Sequence, residues 1–316
     1  MASIAKSQKK PRAYIFAAAM KEELEAIIAK ILPDHAKKDL PAILTALETK
    51  QIPHWDYTGR FLTDETVTVV FVLLGIGRTS AASRLAHTIG RLKASQTVSE
   101  IYRIFVGGSC AAYTKGYDDF PDVINVGDVL QPLFSAYGDV DVTAFNYKYG
   151  QMAQQPDKFP MCGQDTMKAI EYVFLEQDKM RQNAIALKEN GNDVKIPFRI
   201  MRACDHNCVS VSFDSFIADP DKLKDNLDKI VSQEGIYGDI AINHPVFSVA
   251  IDMELAGVGQ VCNDLKLSDH LIVAKGVSDL AGKSAAADFK ENLKLASANS
   301  ADTLERIFQN SLMLAE

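Results

Sequence analysis

Cysteine is scarce in this chain: five in 316 residues, at Cys110, Cys162, Cys204, Cys208 and Cys262. An odd, thinly spread set argues against a disulfide framework and for a reducing, cytoplasmic setting. The tight trio Cys204, His206 and Cys208 has no second pair elsewhere in the chain, so no metal site is expected. No other cofactor is read from the sequence either. Basic excess is also missing. A net charge of −7 argues against a bulk nucleic-acid binder, because a phosphate backbone needs a positive surface, but it leaves a small nucleoside open. Long apolar runs are absent too, with nothing near the roughly 18 residues of a membrane helix, so no membrane partner is expected. The basic start "MASIAKSQKKPR" precedes an apolar run, "AYIFAAAM", that Lys21, Glu22 and Glu23 close. That run is too short for a secretory signal. Residues 1–12 therefore read as a disordered basic tail. Linkers rich in Pro and Gly, internal repeats and low-complexity tracts are lacking, so residues 13–316 are expected to form one domain.

What is present is an alternation. Apolar, β-branched runs at 13–20, 65–77, 100–110, 122–130, 202–212 and 270–279 read as strands, mostly buried on both faces. Helical spacing of apolar residues occupies 21–32, 78–92, 221–233, 254–265 and 301–315. This pattern predicts an α/β fold: a single domain with a central mixed, largely parallel twisted sheet flanked by helices. Polar stretches near 33–63, 157–200 and 219–245 read as surface insertions. Ligands of such folds collect at the carboxyl ends of the strands. Two strands end there in glycine turns, "GIGR" (75–78) and "GGSC" (107–110).

Three acids stand at strand–helix transitions: Glu23 in "AAMKEE", Glu254 in "IDMELAGVG" and Asp279 in "KGVSD". Each alone has an ordinary structural role, offsetting a helix dipole or capping the segment that follows. Together they place three carboxylates where a ligand would sit.

The segments "AAAMKEELEAI", "GIGRTSAA", "VGGSCAA", "DVDVTAFNYKYGQ", "FDSFI", "IDMELAGVGQVC" and "KGVSDLAGK" occur in an order and spacing that resemble the purine nucleoside phosphorylase and uridine phosphorylase superfamily. Within it the chain looks most like the 5′-methylthioadenosine/S-adenosylhomocysteine nucleosidases. The resemblance implies a nucleoside phosphorylase-like fold, a purine nucleoside as small-molecule partner, and hydrolysis of its N-ribosidic bond. It assigns Asp279 as the acid that protonates purine N7, and Glu23 as the carboxylate that activates water. Glu254 would accept the ribose hydroxyls, with Met253 beneath the sugar. Ser109 would lie near the water and the acid, and Ser278 would orient that acid. Phe216 would stack on the purine, Ile217 would read the base edge through its backbone, and Phe289 would pack near the base and the 5′ end. For Phe216 and Phe289, core packing is an equally ordinary fate.

The stretch "TAFNYKYGQ" carries Phe145, Tyr147 and Tyr149 in alternation, which in an extended segment places three rings on one face. The resemblance implies that this segment crosses a homodimer interface, with Phe145 and Tyr147 closing the neighbouring site and Tyr149 packing locally. Three departures from the family pattern bear on substrate choice. Ser109-Cys110-Ala111-Ala112 replaces Ser-Ala-Gly-Gly, Lys275 stands where an arginine is usual, and Phe213 occupies a usual glycine position. Two other readings stay open. A phosphorylase would need a cationic anion site, for which Arg78 at a helix start is the candidate. A non-catalytic binder of the same fold would have no need of both an acid and a base.

Overall fold

The computed structural model describes residues 10–62, 65–115, 124–202, 208–216, 219–232, 234–239 and 247–314. Strand β1 (Arg12–Ala18) is buried almost throughout, so it must lie between neighbours on every side. It pairs in parallel with β3 (Thr66–Leu73) and β4 (Ile101–Val106). The edge strand β2 (Trp55–Arg60) runs antiparallel to β3 and alternates half-buried with exposed residues. With β12 (Leu271–Val273) beside β4, the first sheet has the order β12-β4-β1-β3-β2.

The period of two in β1 separates two cores. Tyr14, Phe16 and Ala18 face α1 (Lys21–Ile31) and the long α7 (Ala285–Met313), through Leu24, Ile27, Ile28, Leu304, Ile307 and Phe308. Ile15 and Ala17 face α3 (Arg78–Ser95) and α6 (Leu255–Asp264), through Ala81, Leu85, Ile89, Leu255 and Val258. On the first side Phe16 stacks on Phe71 and on Phe105, with centroids 5.7 and 4.7 Å apart. Phe308 meets it edge-on at 5.3 Å, a geometry worth up to about 1.5 kcal/mol per pair beyond area burial. Helix α2 (Leu40–Glu48) seats Leu44 and Leu47 in the same core.

The remaining strands form a second sheet. Its order is β8 (Phe159–Pro160), β7 (Phe134–Tyr137), β10 (Val209–Ser212), β11 (Phe247–Asp252), β5 (Ser109–Lys115), β13 (Lys275–Asp279), β6 (Val129–Gln131) and β9 (Ile200–Arg202). Parallel and antiparallel pairs mix in it. Helix α5 (Pro220–Val231) covers this sheet with Leu223, Leu227 and Ile230, while α4 (Gln164–Glu189) packs Ala169, Ile170 and Val173 against the α1–α7 core.

Two chain segments run through both sheets and join them. β4 continues through Gly107 and Gly108 into β5, and β12 continues through Ala274 into β13. The junction stays hydrogen-bonded, from Ala274 N to Val106 O at 3.0 Å and from Gly276 N to Gly108 O at 2.8 Å. The expected mixed, largely parallel sheet is therefore divided in two, and the single strand expected over 100–110 is broken at its glycine pair. The strand expected over 202–212 is also two strands, β9 and β10, with 203–207 outside the described residues. The helix expected over 301–315 begins sixteen residues earlier, at Ala285, because the polar stretch before it winds onto β13 rather than forming a loop. No helix among the described residues is long and apolar enough to cross a membrane.

Candidate active site

The carboxyl ends of β1, β10, β11 and β13 converge on a cavity of about 350 Å³. Met20 and Glu23 enter from the β1–α1 turn, and Ser109, Cys110 and Ala111 from the start of β5. Ser215 and Phe216 follow β10, Asp252, Met253 and Glu254 end β11, and Ser278 and Asp279 end β13. Phe289 reaches in from α7. Glu23, Glu254 and Asp279, distant in the chain, thus line one cavity.

Glu23 is almost wholly buried and held by three donors. Oε1 accepts from the Ser109 backbone N and from Ser109 Oγ, both at 2.7 Å, and Oε2 accepts from Met20 N at 3.0 Å. The last bond closes half of a capping box, so Glu23 also serves its own helix. Gly108 explains the close approach of β5. Its φ is +125°, and a Cβ there would lie 2.8 Å from the Glu23 carboxyl group.

Glu254 stands at the start of α6 but does not cap it. Asp252 does that work: its Oδ1 accepts from Glu254 N at 2.9 Å, Leu255 N at 3.0 Å and Ser212 Oγ at 2.6 Å. Its Oδ2 accepts from Ser210 Oγ at 2.8 Å. Released from that duty, Glu254 Oε1 accepts from Gly77 N at 3.2 Å, and Oε2 lies 3.7 Å from Lys275 Nζ. Burial lifts the Glu254 carboxyl to about 7 against the pull of Lys275, with Asp252 and Glu23 adding to the lift. Burial alone would lower the fully buried Lys275 ammonium, yet Glu254, Asp252 and Glu23 hold it above its ordinary value. Lys275 stays charged behind the cavity wall.

Asp279 accepts from Ser278 Oγ at 3.0 Å and from Ala281 N at 3.1 Å. The same Ser278 hydroxyl lies 3.1 Å from Cys110 O, which fixes its position. Burial raises the Asp279 carboxyl above the ordinary aspartate range, and the two hydrogen bonds oppose this only in part. Phe216 and Phe289 meet edge-on, with centroids 6.1 Å apart. Phe216 is 48% exposed while lining the cavity, which sets it apart from a core ring.

A family model described as "Phosphorylase superfamily" matches residues 13–309. The chain belongs to this superfamily. It is 26% identical over 266 residues to a 5′-methylthioadenosine/S-adenosylhomocysteine nucleosidase of Bacillus cereus strain B4264, covering 84% of this chain and 90% of that protein. Among solved structures, the nucleosidase of Neisseria meningitidis in complex with methylthio-immucillin-A superposes with a TM-score of 0.60 at 22% identity, covering 94% of this chain and 99% of that one. The Colwellia psychrerythraea 34H nucleosidase in complex with adenine gives 0.62 at 21%, covering 96% of each chain.

For this superfamily member, the sequence departures have local explanations. Ser109 to Ala112 begin a regular strand, with Ala111 opposite Ile251, so glycine is not required there. Phe213 is buried beneath the second sheet, and a Cβ on Gly138 would come within 2.4 Å of its ring. The bulk gained at 213 is matched by bulk absent at 138. Arg78, the candidate anion ligand, does not line the cavity. It is spent on Asp139 and Asp214.

Phe145 and Tyr147 do not line this cavity either. Their segment is not extended: residues 143–145 form a 3₁₀ turn, and Asn146 follows at φ +65°. The alternation of rings therefore does not put all three on one strand face. Asp141 starts the turn by accepting from Thr143 N and Oγ1, and this aspartate turn chemistry overrides the period-two pattern. Tyr149 packs on the α5 core, with its hydroxyl 3.3 Å from Asn226 Oδ1. Ile217 lies outside the described residues, as do Cys204 and His206. Asp252 is the site residue that sequence reasoning missed. Its signal was an Asp three residues ahead of the helical run, which is a stronger cap than the Glu that follows it.

Proposed function

We propose that the protein hydrolyses the N-ribosidic bond of 5′-methylthioadenosine and/or S-adenosylhomocysteine, releasing adenine and the thioribose product. One observation carries this reading. Among the described residues lining the cavity, four are carboxylic acids (Glu23, Asp252, Glu254 and Asp279) and none is Lys, Arg or His. Such a wall disfavours a phosphate dianion and suits water as the nucleophile. The superfamily resemblance supplies the nucleoside, and the names of the similar proteins supply the 5′-thio class.

In this reading the two ends of the reaction fall to differently held carboxyls. Asp279, whose carboxyl burial raises above the ordinary aspartate range, is the group placed to give a proton to N7 as the bond to ribose breaks. Glu23 is oriented by three hydrogen bonds, and its Oε2, with one donor, keeps acceptor capacity for a water. That water attacks C1′ on the face opposite the departing base, as in an inverting sugar hydrolysis. Glu254 accepts the ribose hydroxyls with Met253 beneath the sugar, and Phe216 and Phe289 flank the base. The cluster of carboxylates also favours positive charge developing at the anomeric carbon.

The site is completed in a homodimer. Among the described residues, Phe145 is 74% exposed on its turn and so is open to a partner's surface. We place Phe145 and Tyr147 over the neighbouring subunit's cavity, as an apolar lid for the 5′-alkylthio group. Cys110, Cys208 and Cys262 are buried free thiols, which supports a cytoplasmic setting.

The deciding experiment follows adenine release from 5′-methylthioadenosine in phosphate-free buffer and again with phosphate added. Equal release, with free methylthioribose, is expected. Release only with phosphate would make the protein a phosphorylase, and binding without release in either buffer would make it a binder.

A further inference from the structure

The GIG turn ends in Arg78, whose guanidinium does not reach the cavity but grips two strand ends beside it. Its Nε donates to Asp214 Oδ1 at 2.7 Å and its Nη2 pairs with Asp214 Oδ2, a side-on fork. Its Nη1 pairs with Asp139 Oδ1 at 2.7 Å. The two acids are themselves joined, because Asp214 N donates to Asp139 Oδ2 at 3.0 Å. The guanidinium lies over the Tyr137 ring, 4.8 Å from its centroid, and the Tyr137 hydroxyl donates to Gln260 of α6. Arg78 thus holds the ends of β7 and β10 to the start of α3. Its side chain is only 11% exposed, while the carboxylates of Asp214 and Asp139 remain 58% and 32% exposed.

The consequence lies one residue further on. Ser215 and Phe216 directly follow Asp214, and both line the cavity. On the other side of Arg78, Gly77 N donates to Glu254, and Ile76 lines the cavity. The neighbourhood has the form of a clamp with the cavity wall on both sides. Among the described residues Phe216 makes one ring contact, edge-on with Phe289, and it is half exposed. Its place is set by the backbone it hangs from, and that backbone is pinned at Asp214.

We infer that Arg78 is a positioning residue for base recognition: its double ion pair to Asp214 and Asp139 fixes the Ser215–Phe216 wall against which the purine stacks. The purine rests on the proposed function; the clamp does not. The residue that a phosphorylase reading would spend on an anion is instead the fastening of the base wall. Lysine cannot replace it, since one ammonium cannot present a fork to Asp214 and a third nitrogen to Asp139.

The test uses the full-length chain with Arg78→Lys, Phe216→Ala and the double variant. Hydrogen exchange without any nucleoside reads the clamp directly. The amides of residues 213–216, including the Asp214 N–H bound to Asp139, should exchange faster in Arg78→Lys while those of β1 do not change. Adenine affinity by calorimetry reads the consequence. Arg78→Lys should weaken adenine about fivefold, as expected for partial loss of one base–aromatic stack. It should weaken adenine no further once Phe216 is alanine. Unchanged exchange at 213–216 overturns the clamp, and an equal loss of affinity with and without the Phe216 ring overturns its action through Phe216. If the wild-type chain binds no adenine, the nucleoside reading fails and the exchange result alone decides the clamp. Should Arg78→Lys fail to fold, Asp139→Asn removes one arm and carries the same expectations at smaller size.

Discussion

Lys275→Met removes the buried cation behind Glu254 while keeping most of the side-chain volume. In the wild-type chain burial has already lifted the Glu254 carboxyl from 4.5 to about 7. Below about 4.5 that group is neutral both folded and unfolded. Between about 4.5 and about 7 the unfolded chain releases the proton and the folded chain keeps it, so stability falls as pH rises, by about 3 kcal/mol in all. Above about 7 both states are ionised and this contribution levels off. Lys275 Nζ lies 3.7 Å from Glu254 Oε2. Two unit charges at that separation attract by about 4 kcal/mol in an effective dielectric near 20, which is roughly 3 pH units of titration as an upper bound. Without Lys275 the Glu254 titration moves up, and its destabilising limb continues past pH 7. The stability difference between variant and wild type should therefore grow by about 1 kcal/mol per pH unit between pH 7 and 9. Denaturant unfolding at pH 5, 7, 8 and 9 reads this slope, since a constant packing defect cancels in the comparison. The KM for 5′-methylthioadenosine should show the same displacement, because a protonated Glu254 has lost acceptor capacity for the ribose hydroxyls. A stability difference that stays flat from pH 5 to pH 9 would refute the reasoning.

Four shorter predictions accompany it. Asp279→Asn should lower kcat on adenine nucleosides by about 10²–10⁴ while adenine still binds. The Ser278 hydroxyl can turn to accept from the new amide, so folding survives, and normal turnover would remove Asp279 as the acid. Glu23→Gln keeps one oxygen for Ser109 but sets an NH₂ group against the Met20 N–H. It should cost about 1–3 kcal/mol of stability and abolish hydrolysis, and a turnover assay on the folded variant decides this. Gly138→Ala places a methyl group against the Phe213 ring and should destabilise by about 1–3 kcal/mol, most of it recovered in Gly138→Ala/Phe213→Leu; thermal unfolding reads both. Tyr147→Ala should raise KM for long 5′ substituents more than for 5′-deoxyadenosine, and equal effects on both would end the lid assignment.

The strands and helices were readable because burial writes its period into the chain. "AYIFAAAM" is short, apolar and closed by charges, as a strand buried on both faces is, and "KEELEAIIAKIL" presents one apolar stripe. The breaks were less readable. The glycine pair 107–108 marks a turn in sequence, but only the Glu23 carboxyl packed beneath Gly108 shows why the chain must change sheets there. The turn at 143–146 was missed because a local Asp141–Thr143 hydrogen-bond pattern outweighs alternation of apolar residues.

The same division holds at the site. Residue type and motif spacing were enough to select Glu23, Glu254 and Asp279 and the superfamily they belong to. They could not divide the labour among the acids. Asp252, not Glu254, caps α6, and that leaves Glu254 free to face Gly77 and Lys275. Arg78 looked like an anion ligand until Asp139 and Asp214 were found closed around it. A sequence fixes what each side chain is able to donate, accept or bury. Which partner Glu254 and Arg78 meet depends on contacts with Lys275, Gly77, Asp139 and Asp214, between 21 and 177 positions away in the chain, and only tertiary packing brings those together.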